Sequence, residues 1–170
     1  MKKTLLVIMV LLAITAIWAM PKGTKNIGGA ISLRIADESN LLKITPQIGY
    51  FVVDNLSVDL DILYQDDLDD RTQIGVGLGA RGFIKNFYGG AGLSHRYDRD
   101  ESWGVHWAVW TRRSNFADLK LGMVYPISKN VYFDLGANYS IGIGSYGGNW
   151  SSGSNDELIL DIVAGIQVFF

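Results

Sequence analysis

Along most of this chain apolar residues recur at every second position, the period at which successive side chains of a β-strand leave opposite faces of a sheet. Ile27, Ile31, Leu33 and Ile35 share one face while Ser32 and Arg34 take the other, and Leu42, Ile44, Ile48, Tyr50 and Val52 stand against Lys43, Thr45 and Gln47. The alternation is cleanest in the third run, where Leu56, Val58, Leu60, Ile62 and Tyr64 oppose Ser57, Asp59, Asp61 and Gln65. Ile74, Val76, Leu78, Ala80 and Ile84 follow against Gln73, Gly75, Gly77, Gly79 and Arg81, then Phe87, Ala91, Leu93, His95 and Tyr97 against Gly90, Gly92, Ser94 and Arg96. Two further runs, Ala117 to Tyr125 and Val131 to Ile141, set Asp118, Lys120, Gly122, Asp134, Asn138 and Ser140 on the polar side. The last run, Leu158, Leu160, Ile162, Ala164, Ile166, Val168 and Phe170, has Asp161, Gly165 and Gln167 between its apolar positions and ends on an aromatic. No helical period appears in this part of the chain, and about eight strands can close an antiparallel sheet into a small barrel.

The phase of the alternation switches at each turn, as antiparallel hairpins require. Short turns sit at Asp54-Asn55, Lys85-Asn86 and Ser128-Lys129-Asn130, each ending in an asparagine, which tolerates the left-handed backbone that tight hairpins need. The connections around Asp37 to Asn40, Asp66 to Asp70, Asp98 to Asn115 and Ser145 to Asp156 are polar and often longer, so short turns gather at one end and long connections at the other. Asn55 and Asn86 lie 31 positions apart but Asn86 and Asn130 lie 44 apart, so the third hairpin carries an insertion. It reads as a long loop or hairpin extension holding Trp103, Trp107 and Trp110; Arg99, Asp100, Glu101, Arg112 and Arg113 argue against a further pair of membrane strands there.

Residues 1–19 follow a different rule. Lys2 and Lys3 precede the apolar run Leu5 to Leu12, and Ala19 closes the stretch before Pro21, which is the order of a secretory signal peptide and too short for an easy membrane span. The chain therefore divides into a signal peptide, 1–19, cleaved after Ala19, and one domain, 20–170, with an uncleaved anchor helix as the alternative. The 170 residues with 48% hydrophobic content suit a single domain, and a net charge of −2 argues against a nucleic-acid partner. The absence of cysteine removes disulfides, thiolate metal sites and lipid attachment to an N-terminal Cys.

Composition also bears on which face meets which solvent. A soluble ligand carrier would turn the apolar faces inward, whereas a membrane barrel turns them out. Of the 20 glycines, Gly75, Gly77, Gly79, Gly90, Gly92, Gly122, Gly136 and Gly142 fall on the polar face, where they would relieve crowding inside a narrow barrel. The same face carries Arg34, Lys43, Arg81, Arg96 and Lys120 together with Asp59, Asp61, Asp118, Asp134 and Asp161. Such charges can neutralise one another in a lumen, whereas an arginine or lysine at mid-bilayer would cost about 2–4 kcal/mol. Tyr50, Phe87, Tyr125, Phe133 and Phe170 come near the short-turn end, and Tyr64 and Tyr97 near the other, as two interfacial girdles would. The expected fold is all-β, an antiparallel up-and-down transmembrane β-barrel of about eight strands.

The signal segment, the turns Asp54-Asn55 and Lys85-Asn86, the stretch Pro46-Gln47-Ile48-Gly49-Tyr50-Phe51 running into the first turn and the closing alternation ending in Phe170 resemble the small outer-membrane β-barrel proteins of diderm bacteria. The resemblance covers essentially all of 20–170. It implies an integral outer-membrane location with both termini periplasmic and the long connections outside, among outer-membrane lipid and lipopolysaccharide. It also implies a terminal strand, ending in Phe170, read by the barrel-assembly machinery. The tryptophan-rich third connection departs from that pattern.

A barrel of this size has an interior just wide enough for side chains, so a plugged lumen is expected, with a narrow ion or water path as the alternative. Ser94, His95 and Asp98 could suggest a nucleophile and base, but adjacent strand residues leave opposite faces, so no catalytic residue is assigned. A lipid-modifying enzyme of the outer leaflet is the alternative from another class. Asp66-Asp67-Leu68-Asp69-Asp70 lacks the spacing of a calcium loop, and Gly75-Val76-Gly77-Leu78-Gly79 lies on a strand with no helix after it, so neither a metal nor a cofactor is assigned. Trp103, Trp107, Trp110, Tyr146 and Trp150 remain as candidate binding aromatics of the outer connections, where exposed rings could stack on sugars or anchor a partner.

Overall fold

A computed structural model of the chain describes residues 20–36, 39–67, 71–101, 109–146 and 158–170; the side chains of 33–36, 39–42, 67, 71, 100–101, 109–110 and 146 lie outside the description. The alternating runs become β1 (Lys25–Ala36), β2 (Ser39–Val53), β3 (Leu56–Asp67), β4 (Arg71–Ile84), β5 (Phe87–Glu101), β6 (Val109–Pro126), β7 (Val131–Tyr146) and β8 (Leu158–Phe169). Each strand pairs antiparallel with the next, and β8 returns to β1 to close an eight-stranded barrel. Closure leaves no free sheet edge, which is what a sheet surrounded by lipid requires.

The register turns the one-dimensional pattern into two surfaces. Ile48 faces Leu60, Leu60 faces Leu78 and Leu78 faces Leu93 around the outside, while Asp59 faces Gly79, Gly79 faces Gly92 and Gly92 faces Asp118 around the inside. The outward residues are the exposed ones, up to 79% for Ile84, whereas Asp59, Arg81, Arg96 and Asp161 are buried to within 2%. A water-soluble barrel would bury the first set and wet the second. A belt of leucine, isoleucine and valine on every strand fits a hydrocarbon surround.

The third hairpin is an extension of the strands, since the β5–β6 ladder continues to Glu101 opposite Val109. Trp110 therefore belongs to β6, opposite Asp100, and Trp103 and Trp107 lie outside the described residues.

The turns behave differently from the sequence expectation in one respect. Asn55 takes the left-handed backbone (φ 62°), but in the second turn that conformation falls on Lys85 (φ 56°) and not on Asn86. The third turn places no non-glycine residue there. What the three asparagines have in common is a backbone contact. The carbonyls of Asn55, Asn86 and Asn130 accept from the amides of Phe83, Val124 and Phe169 at 2.8, 2.7 and 2.9 Å. Each short turn thus ties itself to the following hairpin, which holds this end of the barrel together beyond the last ladder pair.

Residues 20–24 run across that end. Gly23 N donates to Phe51 O (2.9 Å), Lys22 N to Asp54 Oδ1 (2.7 Å), and Met20 N to Asn55 Oδ1 (2.9 Å), while Asn55 N donates back to Met20 O (2.8 Å). Met20 is thereby pressed among Phe51, Phe83, Tyr88, Val124, Tyr132 and Phe169, all buried and all turned inward. Their rings meet at centroid distances of 5.4 Å (Phe51 and Phe83), 5.6 Å (Phe83 and Tyr88), 6.0 Å (Phe51 and Phe169) and 4.9 Å (Tyr132 and Phe169). This apolar floor closes the short-turn end of the lumen.

Candidate functional site: the filled lumen and its rim

Above the floor the lumen is occupied by paired charges. Arg81 grips Asp59 with two nitrogens, Nε to Oδ2 at 2.7 Å and Nη2 to Oδ1 at 3.1 Å, and its Nη1 lies 3.8 Å from Asp134 Oδ2. The same guanidinium stands 5.4 Å over Phe83 and 5.2 Å over Tyr88, so it ties the charges to the aromatic floor. Gly90 sits opposite Arg81 and makes room for it, since a Cβ there would come within 2.8 Å of Arg81 Cγ.

Asp134 is also held from two other sides. Tyr88 Oη donates to its Oδ1 (2.8 Å) and Gln167 Nε2 to its Oδ2 (3.0 Å). Gln167 Nε2 also donates to Gln47 Oε1 (2.7 Å), and its own Oε1 accepts from Asn26 Nδ2 (3.0 Å). Gln47 Nε2 passes the connection to Asp61 (2.8 Å), which pairs with Lys120. One network therefore joins Asp59, Arg81, Asp134, Gln167, Gln47, Asp61 and Lys120 across the lumen. In such a space each unpaired charge would be costly, so pairing is what permits a polar interior at all.

Two smaller groups lie nearer the long connections. Lys43 Nζ donates to Asp161 Oδ2 (2.7 Å), and Arg96 Nη2 donates to Asp118 Oδ1 (3.1 Å) and Ser140 Oγ (2.7 Å) with its guanidinium 4.0 Å over Phe116. Leu63, Phe116 and Ile159 also turn inward here and are buried. A cavity of about 80 Å³ remains between the groups, lined in part by Ser94, Asp118, Lys120, Asp134 and Asn138. Ser94 Oγ and Asn138 Oδ1 are buried there without a protein hydrogen bond, and the space is large enough for ordered water to serve them.

The lumen residues expected from the sequence are accordingly distributed as follows. Lys43, Asp59, Asp61, Arg81, Arg96, Asp118, Lys120, Asp134 and Asp161 all point inward with partners, while the side chain of Arg34 lies outside the description. The alternation does not assign the inward aromatics. The available signal is the adjacent pairs Tyr50-Phe51, Phe87-Tyr88, Tyr132-Phe133 and Phe169-Phe170, because neighbours on a strand leave opposite faces and each pair sends one ring to each surface.

Ser94 and His95 part to opposite faces. Ser94 lines the cavity, whereas His95 is outside with its Nδ1 2.8 Å from Asn115 Oδ1. Asp98 faces the lumen and accepts from Gln73, so it does not orient His95. Of the acidic run, Asp66 and Asp67 end β3 and residues 68–70 lie outside the described part. No group of three metal-binding side chains occurs among the described residues. Trp103, Trp107 and Trp150 lie outside the described residues, and Trp110 and Tyr146 are described in backbone only. Phe170 is 58% exposed at the barrel base, exchanging backbone hydrogen bonds with Lys25 (2.8 and 2.9 Å).

No protein-family model matches the chain, and no curated protein sequence does. Solved structures do resemble it. Neisserial surface protein A (NspA) superposes with a TM-score of 0.60 at 17% identity, over 86% of this chain and 96% of that one. The N-terminal β-barrel domain of Pseudomonas aeruginosa OprF gives 0.57 at 13% identity, over 90% and 100%. Ail, the attachment invasion locus protein of Yersinia pestis, gives 0.54 at 17% identity, over 88% and 99%. With the closed antiparallel order and the outward apolar belt, these likenesses give the chain the fold of the small eight-stranded outer-membrane β-barrels.

Proposed function

We propose that this chain is an integral outer-membrane protein that acts in envelope structure or surface binding through its outer connections, with no solute path through its lumen and no catalytic role. In this reading Asp54-Asn55, Lys85-Asn86, the Ser128–Asn130 turn and both termini face the periplasm. Trp103, Trp107, Trp110, Tyr146 and Trp150 are then the contact residues of the exposed end, and Phe170 closes the strand read by the barrel-assembly machinery. Outer-membrane lipid and lipopolysaccharide surround the belt.

The observation that carries the reading is the occupied lumen, in which the Asp59–Arg81–Asp134 network stands on the floor of Phe51, Phe83, Tyr132 and Phe169. An interior filled in this way leaves a solute no continuous path, and among the described residues it brings no hydroxyl onto an imidazole. What remains available for recognition is the rim. The names of two structural neighbours, a surface protein and an attachment locus, accord with that assignment.

Planar-bilayer recording on the refolded full chain tests it. The expected trace stays at the lipid baseline in molar potassium chloride, and conductance steps of constant amplitude would contradict the closed lumen.

A further inference from the structure

We propose that the outward face of β1 to β4, at the end with the short turns, binds one anionic glycerophospholipid, with an acyl chain in the groove beside Lys25 and the phosphate at Lys25 and Tyr50. The alternation puts Lys25 outward with Ile27, and the register sets it directly opposite Tyr50. On its other side its backbone exchanges hydrogen bonds with Phe170 (2.8 and 2.9 Å), so one outward row reads Phe170, Lys25, Tyr50, Val58. All four are exposed. The next row toward the middle of the belt is Ile27, Ile48, Leu60 and Leu78, each paired with the one before. A groove of about 360 Å³ lies along these two rows, within the size range of small-molecule sites. Val58, small beside Tyr50, leaves it open.

The surroundings select the occupant. An apolar groove with an ammonium at its mouth suits an amphiphile that carries its negative charge at one end. Among the described residues neither the Lys25 ammonium nor the Tyr50 hydroxyl has an ion pair or hydrogen bond, so both can turn to a phosphate. Asp59, behind the groove, faces the lumen and is held by Arg81. Asp54, the one carboxylate side chain in the short turns and residues 20–24, already accepts from the amide of Lys22. Against it stand Lys22, Lys25, Lys85 and Lys129, all exposed, so this rim is positive and draws anionic headgroups. Tyr50 and Phe170, on either side of Lys25, mark the level at which aromatic rings meet those headgroups. Lys25 is also the one cation at an outward strand position at this end, the other three lying in turns or in residues 20–24. A single ammonium matches a monoanionic phosphodiester, whereas a bis-phosphorylated glycolipid calls for several converging cations.

Only the leaflet, the periplasmic one, rests on the orientation proposed above; the site rests on the facing of β1 to β4, and the test separates the two. Refolded full chain in detergent, where sidedness plays no part, is mixed with equal amounts of phosphatidylglycerol and phosphatidylcholine carrying the same acyl chains, and bound lipid is counted by native mass spectrometry. Wild type should retain phosphatidylglycerol about five-fold better. Lys25→Gln should remove that preference and Lys25→Arg should keep it, while Lys85→Gln, on the far side of the barrel, should leave it intact. Val58→Trp, which fills the groove, should lose the preference with Lys25 still in place. No preference in wild type, or equal losses from Lys25→Gln and Lys85→Gln, would overturn the site. Bis-phosphorylated lipid A displacing phosphatidylglycerol would overturn the choice of lipid. Should Lys25→Gln fail to fold, an undiminished preference in Val58→Trp would still overturn the groove. Sidedness is read independently, in cells, from Lys129→Cys: protection from an impermeant thiol reagent supports the periplasmic leaflet, and labelling from outside would overturn that leaflet while the preference in detergent stands.

Discussion

Gly92 and Gly82 show how much one residue's facing decides. A Cβ on Gly92 would meet backbone, Leu78 O at 2.8 Å and Gly79 Cα at 2.9 Å, whereas on Gly82 the nearest atom is Gly89 O at 3.9 Å. Gly92→Ala should therefore destabilise the barrel by about 1–3 kcal/mol and Gly82→Ala by less than about 0.5 kcal/mol, read from urea unfolding in lipid vesicles. Arg81→Met should cost about 3–5 kcal/mol, because it strands Asp59 and Asp134 in the lumen. Adding Asp59→Leu to it should recover a large part of that loss, and a double variant as weak as the sum of the singles would show that the two groups do not act as a pair. The glycines and charges of the polar face are legible as lumen residues because strand alternation assigns a face without reference to neighbours. Which arginine grips which aspartate is not legible. The partners of Arg81 come from β3 and β7, and only register brings them together.

At the scale of elements, the strands are readable and the floor is not. Phe51, Phe83, Tyr132 and Phe169 sit at positions the alternation reserves for polar groups, and their inward burial depends on four different strands converging at one end. Residues 20–24 carry no strand period, yet they dock through Asn55 and Asp54 and drive Met20 into that floor. Met20→Ala should lower stability by about 2 kcal/mol through the cavity it leaves, while the bilayer conductance stays at baseline because the ion pairs above are untouched. The second turn departs from expectation for a local reason. Both residues of Lys85-Asn86 can satisfy a short hairpin, and the left-handed conformation goes to the lysine while the Asn86 carbonyl is drawn to Val124.

For the whole molecule the decisive quantity is the solvent on each side of the sheet. The closed order of strands makes every outward side chain part of one belt, and the lumen groups can be charged only because that belt keeps lipid away from them. Shape and facing are therefore legible from period, glycine placement and charge, whereas the long connections, whose contacts no period constrains, are not. The most direct test labels single cysteines at Leu60, Leu93 and Leu121 with an environment-sensitive fluorophore in the refolded chain in phospholipid vesicles. It compares quenching by nitroxide lipids with quenching by aqueous iodide, using Lys129→Cys in the turn as reference. Strong quenching by nitroxide lipid and little by iodide at all three positions, reversed at Lys129→Cys, is the predicted result. Iodide quenching at the three leucine positions without a nitroxide effect would contradict it and return the apolar belt to water.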